Sequence, residues 1–141
     1  MKKILTVGVY DYFHLGHLRL FENCKKYGDY LIVAVQESNS VLKYKKEAKL
    51  LYSTSERIEI ISNLRVVDEV ITYNDVDSIV NKIEFDIFAV GEDQIHDGFQ
   101  RALLWCESNG KKVIRMKRTQ GISSSNIKAE VFDDFVYGGN K

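Results

Sequence analysis

Apolar residues fall in five dense runs: ILTVGVY (4–10), YLIVAVQ (30–36), VVDEVITY (66–73), DIFAVG (86–91) and KVIRMK (112–117). Several are nearly continuous in valine and isoleucine rather than alternating with polar residues. That pattern predicts strands buried on both faces, as in a parallel sheet. Between the runs the spacing turns helical. Leu15, Leu18, Phe21 and Cys24 recur every third residue, with Gly28 as a stop. Ser53 and Glu56 have capping-box spacing ahead of Ile58, Ile61 and Leu64. Residues 76–83 predict a short helix and 99–110 a longer one ending at Gly110. Residues 123–132 predict a last helix with a serine cap. Alternating strands and helices predict right-handed βαβ units and hence an α/β fold, one doubly wound parallel sheet. There is no proline, so glycine and polar clusters punctuate the chain.

The 141 residues suit one domain, expected over 1–132 with a C-terminal tail at 133–141. Hydrophobic residues make up 45% and charged residues 28%, an ordinary globular balance that supplies one sizeable core. The formal net charge is zero, so neither a nucleic-acid nor a membrane partner is expected and any basic site must be local. Cys24 and Cys106 sit among apolar residues without a CxxC and read as buried, reduced thiols. The N-terminal run is short, interrupted and lacks a small-residue cleavage site; it reads as a strand, not a signal peptide. No stretch approaches the ~20 apolar residues of a membrane span. A cytoplasmic protein is expected.

In an open α/β sheet, ligands bind beyond the carboxyl ends of the strands. The unusual chemistry of this chain collects there, above all in VYDYFHLGHLRLF (9–21), which holds two of the three histidines. A helix starting near Leu15 offers free N–H groups and a positive dipole end to an anion. Gly16 lets a phosphate approach the backbone, and His14 and His17, three apart, can reach one ligand. A metal site is the alternative, but it needs a third ligand, which Asp11 or His96 could supply. Two incidental surface histidines are the plainer alternative, and the glycine and the strand-to-helix position count against it.

GVYDYFHLGH resembles the GTFDxxHxGH motif of the cytidylyltransferases, a family of the HxGH nucleotidylyltransferases with a Rossmann-like fold. RVVDEVI (65–71) resembles the family's RYVDEVI, and RTQGISSS (118–125) its RTEGISTT. The three motifs stand in family order and at about family spacing, and the resemblance covers residues 3–131. The small bacterial members acting on glycerol 3-phosphate are the most similar group.

The resemblance implies transfer of CMP from CTP to a small phosphomonoester, releasing pyrophosphate, with Mg²⁺ accompanying the triphosphate. It implies that His14 and His17 contact the CTP phosphates, and that Gly8 leaves room for a nucleotide lined by Val9 and Tyr10. Asp11 would either orient a histidine or hold Mg²⁺ through water. Arg118 and Thr119, Gly121 and Ile122, then Ser123, Ser124 and Ser125 would form a second phosphate cradle. Of the lysines in VLKYKKEAK (41–49), an otherwise ordinary charged loop, Lys43 and Lys46 are favoured as phosphate ligands. The chain has about two extra residues there, which blurs the register. Arg65 would contact ligand phosphate near a homodimer interface. Gly91 and Asp93 fall on family positions near the nucleotide.

The chain departs from the glycerol-phosphate members after the fourth run, where GEDQIHDGFQR (91–101) replaces GDDW. The segment after Tyr73 also lacks an expected tryptophan and lysine, and GVY replaces GTF. Gln94, His96, Gln100 and Arg101 are therefore candidates for reading the acceptor: glycerol 3-phosphate, or a phosphorylated amino acid such as phosphoglutamine, a polyol phosphate or a sugar phosphate. Such CDP-linked compounds feed bacterial surface polymers, teichoic acid or capsule. The rival activities are an adenylyltransferase of the same superfamily and a non-catalytic nucleotide-binding α/β domain.

Overall fold

A computed structural model describes residues 1–117. Its elements are β1 (Lys3–Gly8), α1 (Leu15–Lys25), β2 (Tyr30–Gln36), α2 (Ser38–Tyr44), α3 (Thr54–Ser62), β3 (Glu69–Tyr73), α4 (Val76–Ile79), β4 (Ile87–Gly91), α5 (Asp97–Ser108) and β5 (Lys112–Met116). The five strands form one sheet in the order β3-β2-β1-β4-β5, with every neighbouring pair parallel. The central strands β1, β2 and β4 are buried almost throughout, as their unbroken apolar runs require.

Alternate residues of each strand feed two cores. Ile4, Leu31, Val33, Val35, Ile87 and Ala89 pack against Phe21 and Cys24 of α1 and Ile61 of α3. Leu5, Val7, Ile32, Ala34, Phe88 and Val90 pack against Val76 and Val80 and against Phe99, Ala102 and Cys106 of α5. The molecule is thus a three-layer α/β/α sandwich, with α1 and α3 on one face and α4 and α5 on the other. Both cysteines are free and buried, and burial pushes the thiol of Cys24 up to about 12 and that of Cys106 up to about 11. Among the described residues no helix is long and apolar enough to cross a membrane.

Several boundaries differ from the apolar runs. The first strand stops at Gly8, because Tyr10 turns into the left-handed region (φ 57°). The third begins at Glu69; Val66 and Val67 join the core from a turn, with the Val67 N–H donated to Leu64. α1 stops at Lys25, three residues before Gly28. Gly28 is instead required by close packing, since a Cβ there would lie 2.4 Å from Ile4 Cδ1. The lysine-rich segment is a helix as far as Tyr44. The Ser53–Glu56 capping box forms as the spacing predicts.

The strand order places the topological switch point between β1 and β4. Their pairing runs only from Ile4–Ile87 to Thr6–Ala89, whereas β1–β2 continues to Gly8–Val35 and β4–β5 to Gly91–Met116. The carboxyl ends of β1 and β4 therefore part, which is where such sheets bind ligands.

Candidate active site

The chain leaves β1 through two left-handed tyrosines, Tyr10 (φ 57°) and Tyr12 (φ 51°), flanking Asp11. The first folds the ring of Tyr10 back over Gly8, where a Cβ would lie 2.7 Å from the ring. The Tyr10 ring thus occupies the space that a side chain at position 8 would need. Tyr10 is buried, and its hydroxyl has no partner among the described residues; the nearby Thr6 hydroxyl donates to Ala89 (3.0 Å).

The two histidines then start α1. His14 is the N-cap, and its Nδ1 accepts the Gly16 N–H (3.0 Å). The His17 Nδ1 accepts the His14 N–H (3.3 Å). The rings stack with centroids 3.8 Å apart and planes 23° apart. An Nδ1 that accepts a hydrogen bond carries no proton, so each neutral ring keeps its proton on Nε2. The cap uses only the Nδ1 atom of each ring. Burial, then the neighbouring His14, hold His17 down to about 3, so it is uncharged at neutral pH. Tyr10 meets its ring edge-on at 5.4 Å, and Phe13 lies against it at 5.5 Å. The backbone donors expected here are spent internally: the Gly16 N–H on His14, and the His17 N–H on the His14 carbonyl (3.0 Å).

Asp11 is 6% exposed. Its carboxylate accepts the N–H groups of Leu51 (2.7 Å) and Tyr52 (3.0 Å). Among the described residues no three His, Cys, Asp or Glu side chains gather to hold a metal ion.

Lys43 lies on α2 with its Nζ 5.5 Å over the Tyr44 ring, and Lys46 is exposed in the segment that follows. Both stand beyond the carboxyl end of β2, on the histidines' edge of the sheet. Arg65 does not. α3 runs from that edge back to the amino edge, and Arg65 follows its end, near where the Asp68 N–H is donated to Leu31 at the start of β2. Within one chain it is remote from His14. Val9 is half-buried, and its carbonyl accepts from Arg57 (2.9 Å).

At the switch point, Gln94 spans the parted strands: its Oε1 accepts the Gly91 N–H (2.8 Å) and its Nε2 donates to the Val7 carbonyl (3.0 Å). Asp93 is exposed, and a Cβ on Gly91 would lie 3.2 Å from its Oδ1. His96 caps α5, accepting the Gly98 N–H on Nδ1 (3.2 Å), with its ring edge-on to Phe99 (4.6 Å). Gln100 donates to the Ile95 carbonyl (3.1 Å), and Arg101 pairs with Asp77 (2.7 Å). The four residues picked out as acceptor-reading all hold internal partners. Arg118, Thr119, Gly121, Ile122, Ser123, Ser124, Ser125 and the tail lie outside the described residues.

One residue escaped the sequence. Arg57 on α3 is fully buried and donates to the Val9 and Gln36 carbonyls and the Ser38 hydroxyl. Its signal was an arginine on the apolar stripe Arg57, Ile61, Leu64.

Residues 5–130 match the model of the cytidylyltransferase-like family. The chain belongs to that family. It is 35% identical over 134 residues to glycerol-3-phosphate cytidylyltransferase of Bacillus subtilis, covering 93% of this chain and 98% of that one. It is 32% identical over 137 residues to an FAD synthase of Picrophilus torridus, covering 93% and 96%. The fold matches the crystal structure of a lipopolysaccharide core biosynthesis protein from Thermoplasma volcanium, with TM-score 0.72, 27% identity, and 85% and 99% of the chains covered. This member of the family is accordingly an enzyme, a nucleotidyltransferase. The differing names of its relatives leave the acceptor open.

Proposed function

We propose that the protein transfers the CMP group of Mg·CTP to a small phosphomonoester, giving a CDP-linked product and pyrophosphate. The observation that supports this is the stacked histidine pair at the start of α1, whose Nδ1 atoms are both taken up by capping, so that only Nε2 of each ring stays outside the cap. An acceptor phosphate oxygen attacks the α-phosphorus. The bond from that phosphorus to the bridging oxygen breaks, and its electron pair leaves with pyrophosphate. No protein nucleophile is needed; catalysis consists of alignment and of donors aimed at the oxygens that gather charge. Lys43 and Lys46 add charge from the same edge, with Arg118 and the hydroxyls of 123–125 as the second cradle. The likeness to glycerol-3-phosphate cytidylyltransferases favours cytidine as the base.

Acceptor reading is assigned to the turn after β4 and the start of α5, where this chain departs from the glycerol-phosphate pattern. A bound acceptor must share or replace the internal partners of Gln94, His96, Gln100 and Arg101. Glycerol 3-phosphate, phosphoglutamine-like amino acids, polyol phosphates and sugar phosphates are the candidates, in the service of teichoic acid or capsule synthesis in the cytoplasm. The proposal includes a homodimer, with Arg65, which follows α3 at the amino edge of the sheet, near its interface. An adenylyltransferase is the second reading, favoured by the FAD synthase likeness.

Pyrophosphate release from CTP and from ATP, measured over a panel of phosphomonoesters, tests both readings. A CTP-dependent rate with one acceptor well above the rest is expected. ATP-dependent release alone would move the assignment to the second reading. No release with either nucleotide would leave only a binding domain.

A further inference from the structure

A buried polar clamp stands at the carboxyl ends of β1 and β2, beside the histidine turn. Arg57 is 0% exposed. Its Nη1 donates to the carbonyls of Val9 (2.9 Å) and Gln36 (2.8 Å). Its Nη2 donates to the hydroxyls of Ser38 (2.7 Å) and Thr54 (3.4 Å), and its Nε to the Tyr52 carbonyl (3.4 Å). All five acceptors are uncharged. Burial pulls the pKa of this guanidinium down, and the carboxylates of Asp11 and Glu37 work against that. Asp11 meanwhile holds the N–H groups of Leu51 and Tyr52. Tyr52 is thus gripped on both sides, its N–H by the anion and its carbonyl by the cation.

What is gripped is the far end of the strap 45–53, which leaves α2 and returns into α3 without helix or strand of its own. The strap carries Lys45, Lys46 and Lys49, and its near half is exposed. An unanchored strap would spread its lysines over many positions, and ordering them would draw on the energy of nucleotide binding. We propose that Asp11 and Arg57 are a pair of positioning residues that pin Leu51–Tyr52 and so hold the lysine strap in register with His14 and His17, without touching the substrate themselves. Asp11 suits this task because it lies on the histidines' own turn, so strap and donors share one anchor. The lysine part of this inference rests on the proposed function; the clamp does not.

Amide hydrogen exchange on the ligand-free, full-length chain reads the clamp. In the wild type, Leu51 and Tyr52 should exchange about ten- to a hundredfold more slowly than Lys46 and Glu47, the protection that a buried hydrogen bond to a charged group confers. In Asp11→Ala that protection should vanish while β2 stays protected. Nucleotide affinity then reads the coupling. Lys46→Ala should weaken Mg·CTP binding about tenfold in the wild type, as loss of a charge-assisted contact does, and hardly at all in Asp11→Ala. Fast exchange at Leu51 and Tyr52 in the wild type would overturn the clamp whether or not the variant folds. Additive losses in the double variant, or lost CTP binding with exchange unchanged, would overturn the positioning role. A wild type that binds no CTP would overturn the proposed function and leave the exchange result to judge the clamp.

Discussion

Two helix starts in this molecule use the same reciprocal cap with different residues. At α3, the Ser53 hydroxyl accepts the Glu56 N–H (3.2 Å) and the Glu56 carboxylate accepts the Ser53 N–H (2.9 Å). At α1, His14 accepts the Gly16 N–H and His17 accepts the His14 N–H. The Ser–Glu box leaves an exposed carboxylate over the helix start, held below its ordinary pKa by the backbone and hydroxyl of Ser53. That start repels phosphate. The His–His box needs only Nδ1 from each ring, so its cap takes up neither Nε2. Both starts are capped by side chains, and under the proposed function only the histidine start meets an anion. The capping arrangement that closes a helix also fixes the tautomer of two donors.

The comparison is broken most severely by removing one ring. His17→Ala should cut turnover by two orders of magnitude or more, about 3 kcal/mol of lost stabilisation of the reacting phosphate. Glu56→Ala should leave turnover within a few-fold and lower stability by about 1 kcal/mol, the worth of a cap. Chemical denaturation alongside steady-state rates separates the two. His14→Ser sharpens the point, since serine is a good N-cap without a distal donor. It should keep the melting temperature within a few degrees while turnover falls about a hundredfold. Retained turnover in that variant would mean that the outward N–H is not used.

The pH dependence of stability is a smaller effect with a definite sign. His17 has a folded pKa of about 3, below its ordinary 6.5, so between those values the unfolded chain binds the extra proton. Its contribution to stability is complete above pH 6.5 and is lost as pH falls towards 3, with about one proton taken up on unfolding. Glu56, also lowered, begins to lose its contribution only below its ordinary 4.5. His17→Asn should therefore flatten the slope of stability between pH 6.5 and 4.5, which Glu56→Gln should not; denaturant midpoints across that range decide it. Smallest is Tyr10→Phe. Its buried hydroxyl has no partner among the described residues, and removing it should raise stability by about 1 kcal/mol. A loss instead would reveal a partner for that hydroxyl.

The sheet was legible because strands buried on both faces must be apolar throughout, and five such runs separated by helical spacing leave few arrangements. The Ser53–Glu56 box was legible for a similar reason, one local rule with one local answer. The strand end at Gly8 was not. The apolar run continues through Tyr10, and only the packing of its ring over Gly8 and beside His17 favours the left-handed turn. Arg57 was hidden because five uncharged acceptors from separate parts of the chain replace the single carboxylate that a sequence search would seek. Free N–H groups were expected at the start of α1, and the structure gives the Gly16 N–H to His14, since an imidazole at the N-cap is long enough to reach it. Arg65 was read as a phosphate contact near a homodimer interface; helix direction puts it at the other edge of the sheet in its own chain, a position no local sequence signal gives.

The central claim is that the two Nε2–H groups at the start of α1 act on the phosphates of CTP. The most direct measurement is the rate of pyrophosphate release from Mg·CTP by the wild type, His14→Ser and His17→Ala, with the best acceptor at saturation and circular dichroism confirming that each is folded. The account predicts a fall of about a hundredfold or more in each variant. Rates within a few-fold of the wild type in both would contradict it.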